Sequence, residues 1–186
     1  MGDVSVSQLR KVAIEDLLAR DPVKLDTANI EGIIRGKTVF VTGAGGSIGS
    51  ELCRQILKYT PGKLILVEQC EVQMFLIHQE LLGSDAGKAR KSIITPAIAD
   101  ISDRERMEGL FGEYRPEVVF HAAAHKHVPL MEIQPSEAIK NNTFATALLA
   151  DLAKKHRVGR FIMISTDKAI NPTNVMGATK RMAELY

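Results

Sequence analysis

Val41-Thr42-Gly43-Ala44-Gly45-Gly46-Ser47-Ile48-Gly49 is the stretch on which the fold turns. The apolar residues before it, over 37–42, read as a short strand. After it, Ile48, Leu52 and Ile56 recur at helical spacing, so the glycines sit in a strand-to-helix turn. Gly43, Gly46 and Gly49 are spaced G-x-x-G-x-x-G. Glycine there permits the tight turn, lets backbone approach a pyrophosphate, and lets the helix pack close to the sheet. The helix N-terminus adds unpaired N–H donors for the anion. Gly43, Gly46, Ser47, Ile48 and Gly49 are therefore candidate contacts for the phosphates of a dinucleotide.

Outward from this turn, short apolar runs alternate with longer helical patterns, the mark of βαβ units on a parallel sheet. Strands are expected over 37–42, 63–68, 92–99, 117–121 and 160–165. The helix from Ser47 is followed by one over 71–82, with Val72, Phe75, Leu76 and Gln79 in register. A third begins after Ser102, where Ser102-Asp103-Arg104-Glu105 fits a capping box, and buries Met107, Leu110 and Phe111. A fourth spans 135–156. A fifth starts near Thr173 and is still running at Tyr186, which predicts a fold that continues into a further lobe. The fold class is α/β, a doubly wound Rossmann-type parallel sheet of order 3-2-1-4-5, over 37–186. Residues 1–36 form an N-terminal extension, with one short helix around Ile14, Leu17 and Leu18 that stops at Asp21-Pro22, and another around Ile30, Ile33 and Ile34.

Ligands of such sheets bind at the carboxyl ends of the strands, where strand order reverses. Glu68 ends the second strand, 19 residues after Gly49, where an acid holds a ribose 2′-hydroxyl and repels a 2′-phosphate. NAD is thus favoured over NADP. Asp100 and Ile101 follow the third strand; Asp100 suits either a contact to adenine or a helix-capping turn beside Ser102. His121-Ala122-Ala123-Ala124 leaves the fourth strand with small side chains that admit a flat cofactor, and Ser165-Thr166-Asp167-Lys168 leaves the fifth.

Composition excludes several classes. Hydrophobic residues make up 45% and charged residues 25%, which suits a buried core, and the net charge of +2 without long basic runs gives no footprint for nucleic acid. No apolar run is long enough to span a bilayer. Cys53 and Cys70 stand alone, without a C-x-x-C partner, and read as reduced thiols of a cytoplasmic protein. His125 and His127 have no carboxylate partner at ligand spacing, so no metal is expected.

The glycine turn, the alanine run and Ser165-Thr166-Asp167-Lys168 resemble the extended short-chain dehydrogenase/reductases. Val41 to Leu52, His125-Lys126-His127-Val128-Pro129-Leu130-Met131-Glu132 and Ser165 to Arg181 resemble, more narrowly, the CapD-like polysaccharide biosynthesis proteins, which are UDP-N-acetylglucosamine 4,6-dehydratases. The resemblance covers about residues 14–186. It implies NAD as cofactor, UDP-N-acetylglucosamine or a related UDP-sugar as substrate, a homo-oligomer, and membrane attachment only through a segment of a longer parent protein. It implies Thr166, Asp167 and Lys168 as catalytic residues, with Asp167 as acid and Lys168 as base if burial lowers the pKa of its ammonium. Lys180 would bind the nicotinamide ribose, Asn142 would support that lysine, and Lys126 and Met176 would face the substrate. Met176 stands where the superfamily has a tyrosine, and a thioether exchanges no proton. That leaves the acceptor of the C4 hydroxyl proton open among Thr166, Asp167, Lys168 and water. The rival readings are a nucleotide-sugar 4-epimerase and a non-catalytic NAD-binding module.

Overall fold

The computed structural model describes residues 26–186. The helix expected around Ile14, Leu17 and Leu18 lies outside the described residues. Five strands form one sheet: β1 Thr38–Thr42, β2 Lys63–Glu68, β3 Ile94–Ile98, β4 Val118–His121 and β5 Arg160–Met163. Their order is β3-β2-β1-β4-β5, and every pairing is parallel. Thr42 is in register with both Val67 and His121, so β1 marks the point where strand order reverses. Edge strand β3 tolerates Pro96, which lacks a donor for a further ladder.

The helices are α1 Thr27–Ile34, α2 Ser47–Lys58, α3 Glu71–Gly83, α4 Asp85–Lys88, α5 Arg104–Tyr114, α6 Val128–Ile133, α7 Pro135–Ala138, α8 Ala145–Lys155 and α9 Val175–Leu185. Side chains of β1 alternate between two cores, as a strand's period of two requires. Val39 and Val41 point to the face covered by α1, α2 and α3, and Phe40 to the face covered by α5 and α8. Phe40 meets Phe111 of α5 edge-on at 5.4 Å.

Several expected details are corrected. The single helix over 135–156 is interrupted by a π-helical turn at Ile139–Phe144. In α3 the buried residues are Met74, Ile77 and Leu81, while Val72, Phe75 and Leu76 are exposed. Apolar residues stand all round this helix, so apolarity alone selects no face. In α2 the buried stripe is Gly49, Cys53, Ile56 and Leu57, and Ile48 is 55% exposed. The stripe is rotated because Gly49, having no side chain, is the residue that meets the glycine turn after β1. The cap of α5 is Asp103, whose carboxylate accepts from the Arg106 amide at 3.0 Å; Ser102 instead pairs with Asp100.

Candidate functional site

One half of the site is built by backbone close approach. Gly43 has φ +66°, a conformation that L side chains rarely adopt, and a Cβ there would lie 2.7 Å from the Ala123 backbone. A Cβ on Gly49 would fall 1.9 Å from the Gly43 carbonyl oxygen, so the first turn of α2 rests directly on the glycine turn. Gly46 precedes α2 and offers no side-chain cap, which leaves the first-turn amides for an anion. Glu68 is 8% exposed; one carboxylate oxygen accepts from the Gly45 amide and the other from the Cys70 amide, each at 3.1 Å. These bonds fix the carboxylate at the mouth of a recess of about 180 Å³, lined by Gly43, Gly46, Glu68, Ile101 and Ala122 to Ala124. Gln69, Gln73 and Asn141 line it too, and sequence reasoning missed them. Asp100 does not line this recess: its carboxylate accepts from the Ser102 amide and hydroxyl, both at 2.8 Å, which is the capping-turn alternative.

The other half is a cavity of about 370 Å³ that shares Gly46, Ala122, Ala124 and His125 with the first. Ser47, Ile48, Gly49, Lys126, Thr166, Lys168, Met176 and Lys180 line it, so most of the expected site residues meet here. A Cβ on Gly177 would lie 2.2 Å from the Lys168 carbonyl oxygen. That close approach seats α9 on the short turn Asp167–Ala169 and brings Met176 and Lys180 toward Lys168. The Lys180 side chain is buried and donates to the Ile164 carbonyl at 2.7 Å. Burial pushes its pKa below the ordinary lysine value, with Glu184 acting in the opposite direction. Met176 is buried against Met131 and Ala138. Asp167 is not among the lining residues; its exposed carboxylate accepts from the Thr166 hydroxyl at 2.9 Å and lies 3.2 Å from Lys168 Nζ. Those two contacts, the hydroxyl first, hold it below the usual carboxylate range. Lys168 is half-exposed, so residues 26–186 do not supply the burial that the expected role as a base calls for.

Beneath both halves runs a buried polar network that the sequence patterns did not single out. Thr146 donates to the Asn142 carbonyl at 2.7 Å, so it accepts from His121 Nε2–H at 2.9 Å. His121 Nδ1 then accepts from the Thr42 hydroxyl at 2.7 Å. Burial first, and the charge of Lys180 second, lower the His121 pKa to about 3, so the ring is neutral. In the π-helical turn, the Asn142 side chain accepts from the His125 amide and donates to the His125 carbonyl and to Thr179. Thr143 donates to the Thr179 carbonyl at 2.9 Å. Asn142 therefore pins the loop after β4 to α9 and is not part of the cavity wall.

Among the described residues, no cluster of three or more His, Cys, Asp or Glu could hold a metal ion. Cys53 is buried and Cys70 exposed, both as free thiols.

Comparison with known proteins agrees with this fold. The family described as "Polysaccharide biosynthesis protein" matches residues 39–186. The chain belongs to that family. It is 52% identical to the capsular polysaccharide biosynthesis protein CapD of Staphylococcus aureus, over 99% of this chain and 30% of that protein. It is 34% identical to a UDP-N-acetylglucosamine 4,6-dehydratase (inverting) of Campylobacter jejuni, over 80% of this chain and 42% of the relative. Among solved structures, Pen from Bacillus thuringiensis superposes with a TM-score of 0.73 at 32% identity, covering 82% of this chain and 44% of that one. The UDP-glucose 4-epimerase of Thermotoga maritima, solved with UDP-glucose, gives 0.66 at 25% identity, over 80% and 49%. The chain thus spans less than half the length of each of these family relatives. Among the described residues, no helix is long and apolar enough to cross a membrane.

Proposed function

We propose that this chain is the dinucleotide-binding part of a cytoplasmic UDP-N-acetylglucosamine 4,6-dehydratase that serves polysaccharide assembly as a homo-oligomer. One observation carries the reading: the neighbouring Asp167 and Lys168, 3.2 Å apart, stand beside a cavity that also receives buried Lys180 and opens into the glycine-turn recess. The recess fits an adenosine and a diphosphate, because any Cβ on Gly43 or Gly49 would collide with backbone and Gly46 leaves helix donors free. NAD, when bound there, supplies reversible acceptance of a hydride from sugar C4. Gly43, Gly46, Ser47, Ile48 and Gly49 hold the diphosphate, Glu68 accepts from the ribose and disfavours a 2′-phosphate, and Ile101 with Ala122 to Ala124 receives the flat rings.

Lys180 donates to the second ribose from its fixed position on the Ile164 carbonyl. Lys126 and Met176 face the sugar. Lys168 takes the C5 proton, which the adjacent ketone acidifies, and Asp167 protonates the departing C6 hydroxyl. A 4-epimerase shares the C4 oxidation, and the Thermotoga maritima likeness keeps that reading in view. It has no use for an acid and a base side by side, which favours the dehydratase. Product analysis of the full-length protein with UDP-N-acetylglucosamine tests the proposal. A 6-deoxy-4-keto sugar is expected; the 4-epimer would establish the epimerase, and dinucleotide binding without turnover would establish a binding module.

A further inference from the structure

The segment that leaves β4 and ends in α6, residues 125–133, is tied to α9 twice. The inner tie is buried: Asn142 accepts from the His125 amide, donates to the His125 carbonyl and donates to Thr179 Oγ1. The outer tie is one exposed side chain. Glu132 of α6 accepts from the Val175 amide at 2.7 Å. Val175 is the first residue of α9, so its amide has no partner within the helix, and a carboxylate there also meets the positive end of the helix dipole. Asn174 caps the same helix through the Gly177 amide and leaves the Val175 amide to Glu132. Beside this bond, Met131 of α6 and Met176 of α9 share a buried cluster, with Val128 and Val175 packed against it. A helix of six residues is too short to hold a position by its own hydrogen bonds, so these contacts are what place α6.

We infer that Glu132 is a positioning residue that fixes the sugar-side wall of the cavity by holding residues 125–133 against α9. The inference rests on the dehydratase reading, in which Lys126 and Met176 face the sugar. Lys126 stands between the two ties and lines the same cavity as Met176 and Lys180 of α9. It is exposed, so its place is set by the main chain on either side and not by packing of its own side chain. Without the outer tie, the buried grip of Asn142 on His125 is the hydrogen-bonded anchor that remains, and the main chain at Lys126 is free to turn about it. Glu132 lines neither the cavity nor the recess, so it acts through α6 and not by contact with a ligand. The dinucleotide recess should not feel the release, because main-chain contacts of Gly43 and Gly49 and the two amides on Glu68 shape it. An amide oxygen accepts the same hydrogen bond as a carboxylate oxygen, so glutamine at this position keeps the tie and loses only the charge.

The test uses the full-length protein, its Glu132→Ala and Glu132→Gln variants, and Asn174→Ala, which removes the other cap of α9 and leaves the Glu132 bond in place. Amide hydrogen exchange followed by mass spectrometry reads the tie directly. Val175 and residues 125–133 should exchange about 10-fold faster in Glu132→Ala and at the wild-type rate in Glu132→Gln. In steady-state turnover of UDP-N-acetylglucosamine, Glu132→Ala should raise KM about 10-fold with kcat within about 2-fold of wild type, as when binding is lost equally from ground and transition states. Glu132→Gln should restore KM, and NAD affinity measured by calorimetry should be unchanged in both. Asn174→Ala should lower the melting temperature and leave KM at the wild-type value. A wild-type KM in Glu132→Ala, or a fall in kcat alone, would overturn the inference. So would a KM that rises as far in Asn174→Ala, because the end of α9 and not the hold on α6 would then be what matters. Unchanged exchange of residues 125–133 in Glu132→Ala, or a Glu132→Gln variant that behaves as Glu132→Ala, would overturn it too. A wild type that yields the 4-epimer would refute the dehydratase reading alone, and the KM comparison would still decide the role of Glu132. A wild type without turnover would also refute that reading, and hydrogen exchange with calorimetry of UDP-N-acetylglucosamine would then decide it.

Discussion

Mild acid should loosen this fold through His121. The ring is fully buried and has its tautomer set by two neighbours: Thr146 receives from Nε2–H because its own proton goes to the Asn142 carbonyl, and Thr42 donates to Nδ1. Protonating Nδ1 would oppose the Thr42 bond and place a cation in the core near Lys180. The folded pKa is accordingly about 3, against an ordinary value of 6.5 in the unfolded chain. The native state therefore binds fewer protons than the unfolded state between these values. The stability this neutral ring confers is complete above 6.5 and is lost as pH falls toward the folded pKa. Each pH unit below 6.5 removes about 1.4 kcal/mol until the native ring itself protonates. Urea unfolding at about pH 7.5 and about pH 5.5 should thus differ by about 1.4 kcal/mol from this group. A His121→Asn variant, less stable at both, should lack that increment. His78, also lowered by burial, adds a slope of the same sign to both proteins and cancels in the difference. An equal acid slope in wild type and variant would refute the buried, neutral ring.

Two further substitutions test the glycines in opposite directions. Gly49→Ala must move α2 or the glycine turn until a 1.9 Å approach opens to at least 3.0 Å, a backbone shift of the kind that costs about 3 kcal/mol and displaces the first-turn amides. Thermal melting should fall by about 6–12 °C with NAD affinity lost as well, and an unchanged melt would show the turn is built differently. Gly109→Ala, exposed in the middle of α5 with nothing within 4 Å of the new Cβ, should raise stability by about 0.5–1 kcal/mol in urea titration.

The sheet was legible from sequence because its signals are redundant. Val39, Phe40 and Val41 are buried on two faces, and each strand exit carries its own marker, from Gly43 through Glu68 to Thr166. Helix faces were less so. In α3, Val72, Phe75 and Leu76 are as apolar as the buried Met74, Ile77 and Leu81, and only the angle at which the helix meets β2 and β3 separates them. Asp100 had two physically sound partners, and the geometry gives it Ser102. The polar network escaped notice for a different reason. Thr42, His121, Thr146 and Thr179 come from four distant segments, each unremarkable in its own window, and acquire meaning only once β1, β4, α8 and α9 are adjacent.

That contrast also explains how the two halves of the cleft are held. The recess under Glu68 is shaped by sterics of the main chain: Gly43 against Ala123, Gly49 against Gly43, and two amides on one carboxylate. Backbone contacts of this kind admit no rotamer and hold one geometry, which suits a bound dinucleotide that stays in place through a reaction. The cavity at Thr166 is positioned by side chains: Asn142 and Thr143 grip Thr179 on α9, and Lys180 hangs from the Ile164 carbonyl. Buried, hydrogen-bonded side chains hold the walls. Thr166, Asp167 and Lys168 stand at the open edge with one acceptor position and two titratable groups uncommitted to the core. Under the proposed dehydratase reading, proton traffic belongs at that edge, because there a group gains or loses a proton without leaving an unpaired charge in the core.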